Sequence, residues 1–425
     1  MVNIIMPRGV KTLACILLLS LSLSAILYSD DQAPSSPEIE QIAEELYNQG
    51  LEFYTTGDYE KALPFFEKAV AHNTSFSEAF FRIGFCNLKL EKYEKAIAAF
   101  ENVIAIDPDL AKAYFNLGLC HFNLGDLMAA REAYCRAIEL ETTHPEAYGN
   151  LGWLYYKTGE PSKAIETLKK ATSLDPHNAL VFYNLGIVYS ETGNNEDAAV
   201  AFKKVTMLEP DREEAHLNLG IAYSKLGQYE SAVNSLKKAL EINADNTVTH
   251  EILAESYRKL GYLDEAIKSY ENAIRLTPDN ANAHFNIGFL YCQMGAFQNA
   301  VQYLERSIEL DPELVQAHYN LGVAYIQIEL FDEAIESLEK YTTLNPENDR
   351  AFDYLGMALF FRQKYEEARI AFEQAIDLAP ENSKAHLHLG ITLYSLGDKT
   401  AALEEYEILK TLDEELAREL KEKIK

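Results

Sequence analysis

Ten glycines fall on one 34-residue grid: Gly50, Gly84, Gly118, Gly152, Gly186, Gly220, Gly288, Gly322, Gly356 and Gly390. Ala254 fills the one gap. Twelve residues further on stands alanine in all eleven places: Ala62, Ala96, Ala130, Ala164, Ala198, Ala232, Ala266, Ala300, Ala334, Ala368 and Ala402. Four residues beyond each alanine is a large apolar residue, from Phe66 and Phe100 through Leu236 to Phe372 and Tyr406. Proline follows at Pro108, Pro176, Pro210, Pro278, Pro312, Pro346 and Pro380. Counted from seven residues before the glycine, the repeats tile 43–416 without insertion, since 11 × 34 = 374. A chain of 425 residues would otherwise suggest two or three globular domains. A strict internal period instead demands a stack of small units, each unable to bury its apolar face alone.

Each repeat reads as two helices. In 213–246 the first half carries Leu217, Leu219, Ile221, Tyr223 and Leu226 around small Gly220 and Ala222. Gly227 ends that helix, as suits a residue that accepts positive φ. The second half sets Ala232, Val233, Leu236, Ala239 and Leu240 at helical spacing, with Lys237 and Lys238 outward. Elsewhere proline stops the second helix, because it lacks an N–H and biases its predecessor away from α. The glycine at place eight and the alanine at place twenty are expected to let two helix backbones approach closely.

This pattern resembles the tetratricopeptide repeat family across 374 of 425 residues. The matching places are the apolar residue at seven, Gly at eight, Tyr at eleven (Tyr155, Tyr189, Tyr223, Tyr257, Tyr291, Tyr325), Ala at twenty and Pro at thirty-two. The resemblance implies an all-α fold, an α-solenoid: a right-handed superhelix of antiparallel helical hairpins. Its first helices would line a concave groove that binds a protein or an extended peptide. Departures are Asn87 and His121 at the Tyr place, and Tyr341 where small Ala is usual. Tyr341 is expected to loosen the junction between repeats 9 and 10.

The two ends read differently. Arg8 and Lys11 precede an apolar run from Leu13 to Tyr28. At 16 residues it is short of the roughly 20 that span a bilayer, so 1–29 reads as a signal peptide, with an uncleaved membrane anchor as the alternative. Residues 30–42, with Pro34 and Pro37, read as a linker. Leu409, Leu412, Leu416, Leu420 and Ile424 recur three or four apart, which predicts an amphipathic helix, with 417–425 as the C-terminal helix that caps the last repeat.

The charge balance excludes partners. With 38 basic and 66 acidic residues the net charge is −28, which disfavours nucleic acid and anionic lipid surfaces. No catalytic, cofactor or metal constellation is expected. His216, His250, His284, His318 and His386 hold one place in five repeats, but residues a helix-pair width apart cannot share one zinc ion. That place holds Phe80, Phe182 and Phe352 elsewhere, so the histidines read as flat packing rings. Cys86, Cys120, Cys135 and Cys292 show no C-x-x-C spacing, and a Cys120–Cys135 bridge is left open.

The candidate site is a row of asparagines at place six: Asn48, Asn116, Asn150, Asn184, Asn218, Asn286 and Asn320. Mid-helix Asn is disfavoured against Ala by roughly 0.5–0.7 kcal/mol. In some tetratricopeptide repeat proteins this asparagine grips the backbone of an extended ligand, and an amide that both donates and accepts suits that task. Support of inter-repeat packing is the competing explanation. Phe115, Tyr183, Leu217, Leu119, Ile187 and Ile221 flank the row, and Gly149 beside Trp153 is expected to leave a pocket for an anchoring side chain. The lysine and arginine clamp by which one subclass holds chaperone tails is missing: place five has no Lys and place nine no Asn. Three functions remain: an exported non-enzymatic scaffold, a targeting or regulatory subunit of a separate enzyme such as a glycosyltransferase-like system, or a self-assembling structural protein.

Overall fold

The computed structural model describes residues 36–424, and all regular structure among them is helical. Residues 1–29, with the expected signal, lie outside the described residues. The chain divides between Asp126 and Leu127 into two compact units, each described by itself.

The first unit holds α1 (Ser36–Thr55), α2 (Tyr59–His72), α3 (Ser77–Lys89), α4 (Tyr93–Ile106) and α5 (Ala111–Asn123). The second begins with α6 (Leu127–Leu140), α7 (Pro145–Lys157), α8 (Pro161–Leu174), α9 (Ala179–Glu191) and α10 (Asn195–Leu208). It continues through α11 (Glu213–Lys225), α12 (Tyr229–Ile242), α13 (Thr247–Leu260), α14 (Leu263–Leu276), α15 (Ala281–Gln293) and α16 (Phe297–Leu310). It ends with α17 (Val315–Gln327), α18 (Phe331–Leu344), α19 (Asp349–Phe361), α20 (Tyr365–Leu378), α21 (Ser383–Leu396), α22 (Lys399–Leu412) and α23 (Glu414–Lys423). Through α22, odd-numbered helices are the first helices of repeats and even-numbered ones the second. Within each unit a helix packs on its neighbours in sequence, which is the order of a solenoid. Helix α1 starts at Ser36, so 36–42, expected as linker, are its first turns.

The turn inside each hairpin needs a left-handed residue at place fifteen. Gly227 supplies it at φ +72°, as its position predicts. Three repeats put a side chain there instead: Glu91 at φ 57°, Glu329 at 62° and Gln363 at 61°. Five first helices start on asparagine caps at place thirty-four. Asn178, Asn246, Asn280, Asn348 and Asn382 each accept a backbone N–H three residues on.

The alanines at place twenty are fully buried, as are Phe66, Phe100, Leu168, Leu236 and Leu304 at place twenty-four. The close approach at place eight has a more specific cause than small residues on facing backbones. A Cβ on Gly220 would lie 2.6 Å from Leu236 Cγ, and one on Gly186 2.7 Å from the Phe202 ring. The glycine therefore houses the large side chain sixteen residues further on in its own hairpin. The alanine backbone is second in line, with Ala232 O 3.5 Å from the Cβ position of Gly220.

Two expectations need correction. Tyr341 does not loosen repeat 9. It is 1% exposed, packs 5.1 Å from the Tyr319 ring, and its hydroxyl accepts from Asn345 Nδ2 at 2.9 Å and Asn348 Nδ2 at 2.8 Å. A buried tyrosine with two donors on its oxygen is a satisfied core residue. The cap also begins earlier than 417. Asp413 breaks the chain after α22, and its carboxylate accepts from Glu415 N and Leu416 N to start α23. Leu420 of α23 then meets the Gly390 position at 2.6 Å, filling the space that place twenty-four fills in other repeats.

Candidate peptide-binding face

Curvature in the second unit follows from which helices meet. First helices of successive repeats touch directly in α7–α9, α11–α13, α15–α17, α17–α19 and α19–α21. The second helices are held through the first helices between them. A stack whose first helices lie closer together curves toward them, so their outer strip is the concave face.

Place six lies on that strip. Asn150, Asn184, Asn218, Asn286 and Asn320 are half-buried on α7, α9, α11, α15 and α17. Asn116 is 7% exposed on α5 of the first unit, and half-buried Phe115 lies beside it. Several amides already have work. Asn116 Nδ2 donates to Lys112 O at 2.7 Å, and Asn320 Nδ2 to Gln316 O at 2.8 Å. Asn218 Nδ2 uses both hydrogens, donating to Glu214 O at 2.8 Å and to the Tyr183 hydroxyl at 3.1 Å. Its Oδ1 is left to accept. Asn150, Asn184 and Asn286 make no side-chain hydrogen bond among the described residues, so their amides are whole.

The Tyr183–Asn218 bond belongs to a register that a 34-residue count hides. Place five of one repeat meets place six of the next, 35 residues on. Arg82 Nε donates to the Tyr47 hydroxyl at 3.3 Å, and His388 Nδ1 lies 2.7 Å from Asp353 Oδ1. The Tyr319 and Tyr354 rings meet edge-on at 6.0 Å, and Leu217 and Ile252 pack on one apolar cluster. Ile252 thus breaks the asparagine row opposite an apolar partner, and His388 opposite an acid. Tyr183 is held further by the Arg212 guanidinium 4.1 Å above its ring, and burial raises its phenol pKa.

The expected pocket beside Trp153 is closed. Gly149 is buried, and the place of its missing Cβ is 3.1 Å from Val181 Cγ2. Trp153 instead leans on Tyr156, centroids 5.0 Å apart, with Lys157 Nζ 4.9 Å from its ring. An apolar cleft of about 450 Å³ opens elsewhere on the same face. Met357, Phe360 and Phe361 of α19 and Leu387 and Ile391 of α21 line it, with Glu419 and Lys423 of α23 at its rim. Three of these residues, Met357, Leu387 and Ile391, are at the same places five and nine that flank the asparagines, which is the signal that could have found them.

Other chemistry is muted. Burial pushes the Cys86 and Cys120 thiols up to about 12 and Cys292 to about 11, so none is a thiolate near neutral pH. All four described cysteines are free. No group of three or more His, Cys, Asp or Glu among the described residues could hold a metal ion. No described helix is long and apolar enough to cross a membrane.

Tandem helical hairpins with a buried Gly–Ala core define a helical-repeat scaffold. Sequence profiles narrow that class. Those described as TPR repeat match 87–125, 154–193, 254–295 and 290–328. Those described as tetratricopeptide repeat match 43–76, 111–144, 179–212, 213–246, 315–348 and 355–416. The chain belongs to the tetratricopeptide repeat family, whose members are generally non-catalytic scaffolds for protein and peptide partners. Among solved structures it is similar to MamA, at 28% identity over 39% of this chain and 97% of that one, TM-score 0.38. It is similar to YrrB, titled a TPR protein with an unusual peptide-binding site, at 26% identity over 44% and 96%, TM-score 0.41. PilF of Pseudomonas aeruginosa matches at 25% identity over 49% and 96%, TM-score 0.41. Comparison with curated proteins finds none that matches.

Proposed function

We propose that this chain is an exported scaffold that holds an extended polypeptide segment against the first helices of repeats 4–9. One observation carries the reading. In a chain of net charge −28, places five, six and nine of α7, α9, α11, α15 and α17 hold no charged residue. They hold asparagine flanked by Trp153, Tyr183, Ile187, Leu217, Ile221, Phe285, Phe289, Tyr319 and Val323. Only α13, with Glu251 and Glu255, interrupts the strip. An uncharged strip with amides at helix-to-helix intervals suits backbone, which offers donors and acceptors without net charge.

A random peptide library selected on the full mature chain tests this. Bound peptides should photo-crosslink to a benzophenone at Ile187 or Ile221 and not to one at Lys237 on outer α12. Crosslinks confined to outer positions, or no peptide retained, overturn the proposal. Export rests on Arg8, Lys11 and the run Leu13–Tyr28. Mass spectrometry of the mature chain should find it beginning between Ala25 and Asp31. An intact N-terminus in a soluble cytoplasmic fraction would end that part.

A further inference from the structure

The place-four histidines do more than fill space. Each points Nε2 at the backbone oxygen of place thirty-two in the preceding repeat: His216 to Pro210 at 2.9 Å, His250 to Ala244 at 3.0 Å, His284 to Pro278 at 3.2 Å, His318 to Pro312 at 2.9 Å and His386 to Pro380 at 2.9 Å. A carbonyl only accepts, so Nε2 carries the hydrogen and latches one repeat to the next. What differs is the other nitrogen. Nδ1 of His284 is buried with no hydrogen-bond partner, whereas Nδ1 of His386 lies 2.6 Å from Glu405 Oε2. Glu405 stands at place twenty-three of its repeat. In repeat 8 that place holds Tyr303, whose ring centroid is 6.0 Å from His284.

We propose that repeats 8 and 11 carry pH switches of opposite sign at one structural place, set by the residue at place twenty-three. Acid loosens the latch of repeat 8 onto repeat 7, and base loosens the latch of repeat 11 onto repeat 10.

The surroundings fix the signs. His284 faces Tyr303 and Arg306 from α16, and Glu271 of α14 reaches it only through the Tyr303 hydroxyl, at 3.3 Å. Asp279, in the turn before α15, is taken up by Arg306 at 3.6 Å. A proton on Nδ1 would be buried without an acceptor and near a guanidinium. Burial accordingly lowers the His284 pKa, and Arg306 lowers it further. Stability from this group is present above about pH 6.5 and is lost as pH falls through the lowered value. His386 faces Glu405 from α22 and the Pro380 carbonyl from the turn after α20. Its bond to Glu405 raises its pKa. Its contribution is full below about pH 6.5 and is lost as pH rises through the raised value.

Hydrogen exchange on the full chain tests this, read by mass spectrometry at pH 5.5, 7.0 and 8.5 after correction for intrinsic rates. Amides of α15 should exchange about threefold faster or more at pH 5.5 than at 7.0, and those of α21 faster at 8.5. H284F, a residue already found at this place as Phe182 and Phe352, should abolish the α15 response. Y303E should reverse it, and E405Q should remove the α21 response. Histidine NMR titration of the unaltered chain gives a reading free of any folding defect. A His284 midpoint below 6.5 with a His386 midpoint above it supports the proposal. Equal midpoints, an acid response retained in H284F, or an unreversed sign in Y303E overturns it.

Discussion

At the scale of single residues, the asparagines at place six divide into two kinds, and their substitutions should diverge. Asn218→Ala loses two neutral hydrogen bonds, at about 0.5–1.5 kcal/mol each, and regains about 0.5–0.7 kcal/mol of helix propensity. Its melting temperature should fall. Asn184→Ala loses no internal bond and should melt at or slightly above the parent, while weakening peptide binding about three- to tenfold. Thermal melts and binding isotherms on the same two variants decide whether the row grips a ligand or stitches repeats. Backbone strain gives a second residue-scale prediction. Gly227→Ala meets no atom within 4 Å but must sit at φ +72°, so it should lose about 1–2 kcal/mol by denaturant titration. Gln363→Gly at φ 61° should move the other way by about 0.5–1 kcal/mol. The row of asparagines, the groove-side aromatics and the left-handed glycine were legible in the sequence, because each repeats on the grid. The Tyr183–Asn218 bond was not, because it spans 35 residues and becomes visible only when neighbouring first helices are set side by side. Nor could the Gly149 pocket be judged, because Val181, which fills it, comes from the next repeat.

At the scale of elements, the hairpin is the packing unit, and its helix pairs were readable from periodicity alone. Their caps were less so. Asn at place thirty-four starts five first helices, and in three of the five its amide also ties back to the first helix of its own repeat. Asn246 donates to Glu213 at 2.8 Å, Asn382 to Asp349 at 2.9 Å, and Asn280 to Glu251. The final element departs from the rule. Leu420 of α23 is fully buried against Gly390, so Leu420→Ala should leave a cavity worth about 2–5 kcal/mol. The loss should show first as faster hydrogen exchange in α21 and α22. Exchange that rises evenly along the second unit would mean α23 is not the terminal brace.

For the molecule as a whole, stability is approximately a sum of repeats and interfaces, so local damage should stay local. Gly220→Leu would drive a side chain into Leu236, 2.6 Å from where its Cβ must lie, and should lose about 1–3 kcal/mol or more. Calorimetry should then show a broadened or split transition, with repeats near the substitution melting first. One sharp transition shifted as a unit would contradict solenoid behaviour. The pairing of place-eight glycines with a side chain of their own hairpin also bears on how such a chain can grow. Because most hairpins hold both halves of their tightest contact, a whole 34-residue unit duplicated upstream brings its own lock and key. Repeat 11 departs from this, since its keyhole takes Leu420 from outside the repeat. Lengthening is therefore open at the inner joints and closed between α22 and α23, where an added unit would carry the key away from Gly390.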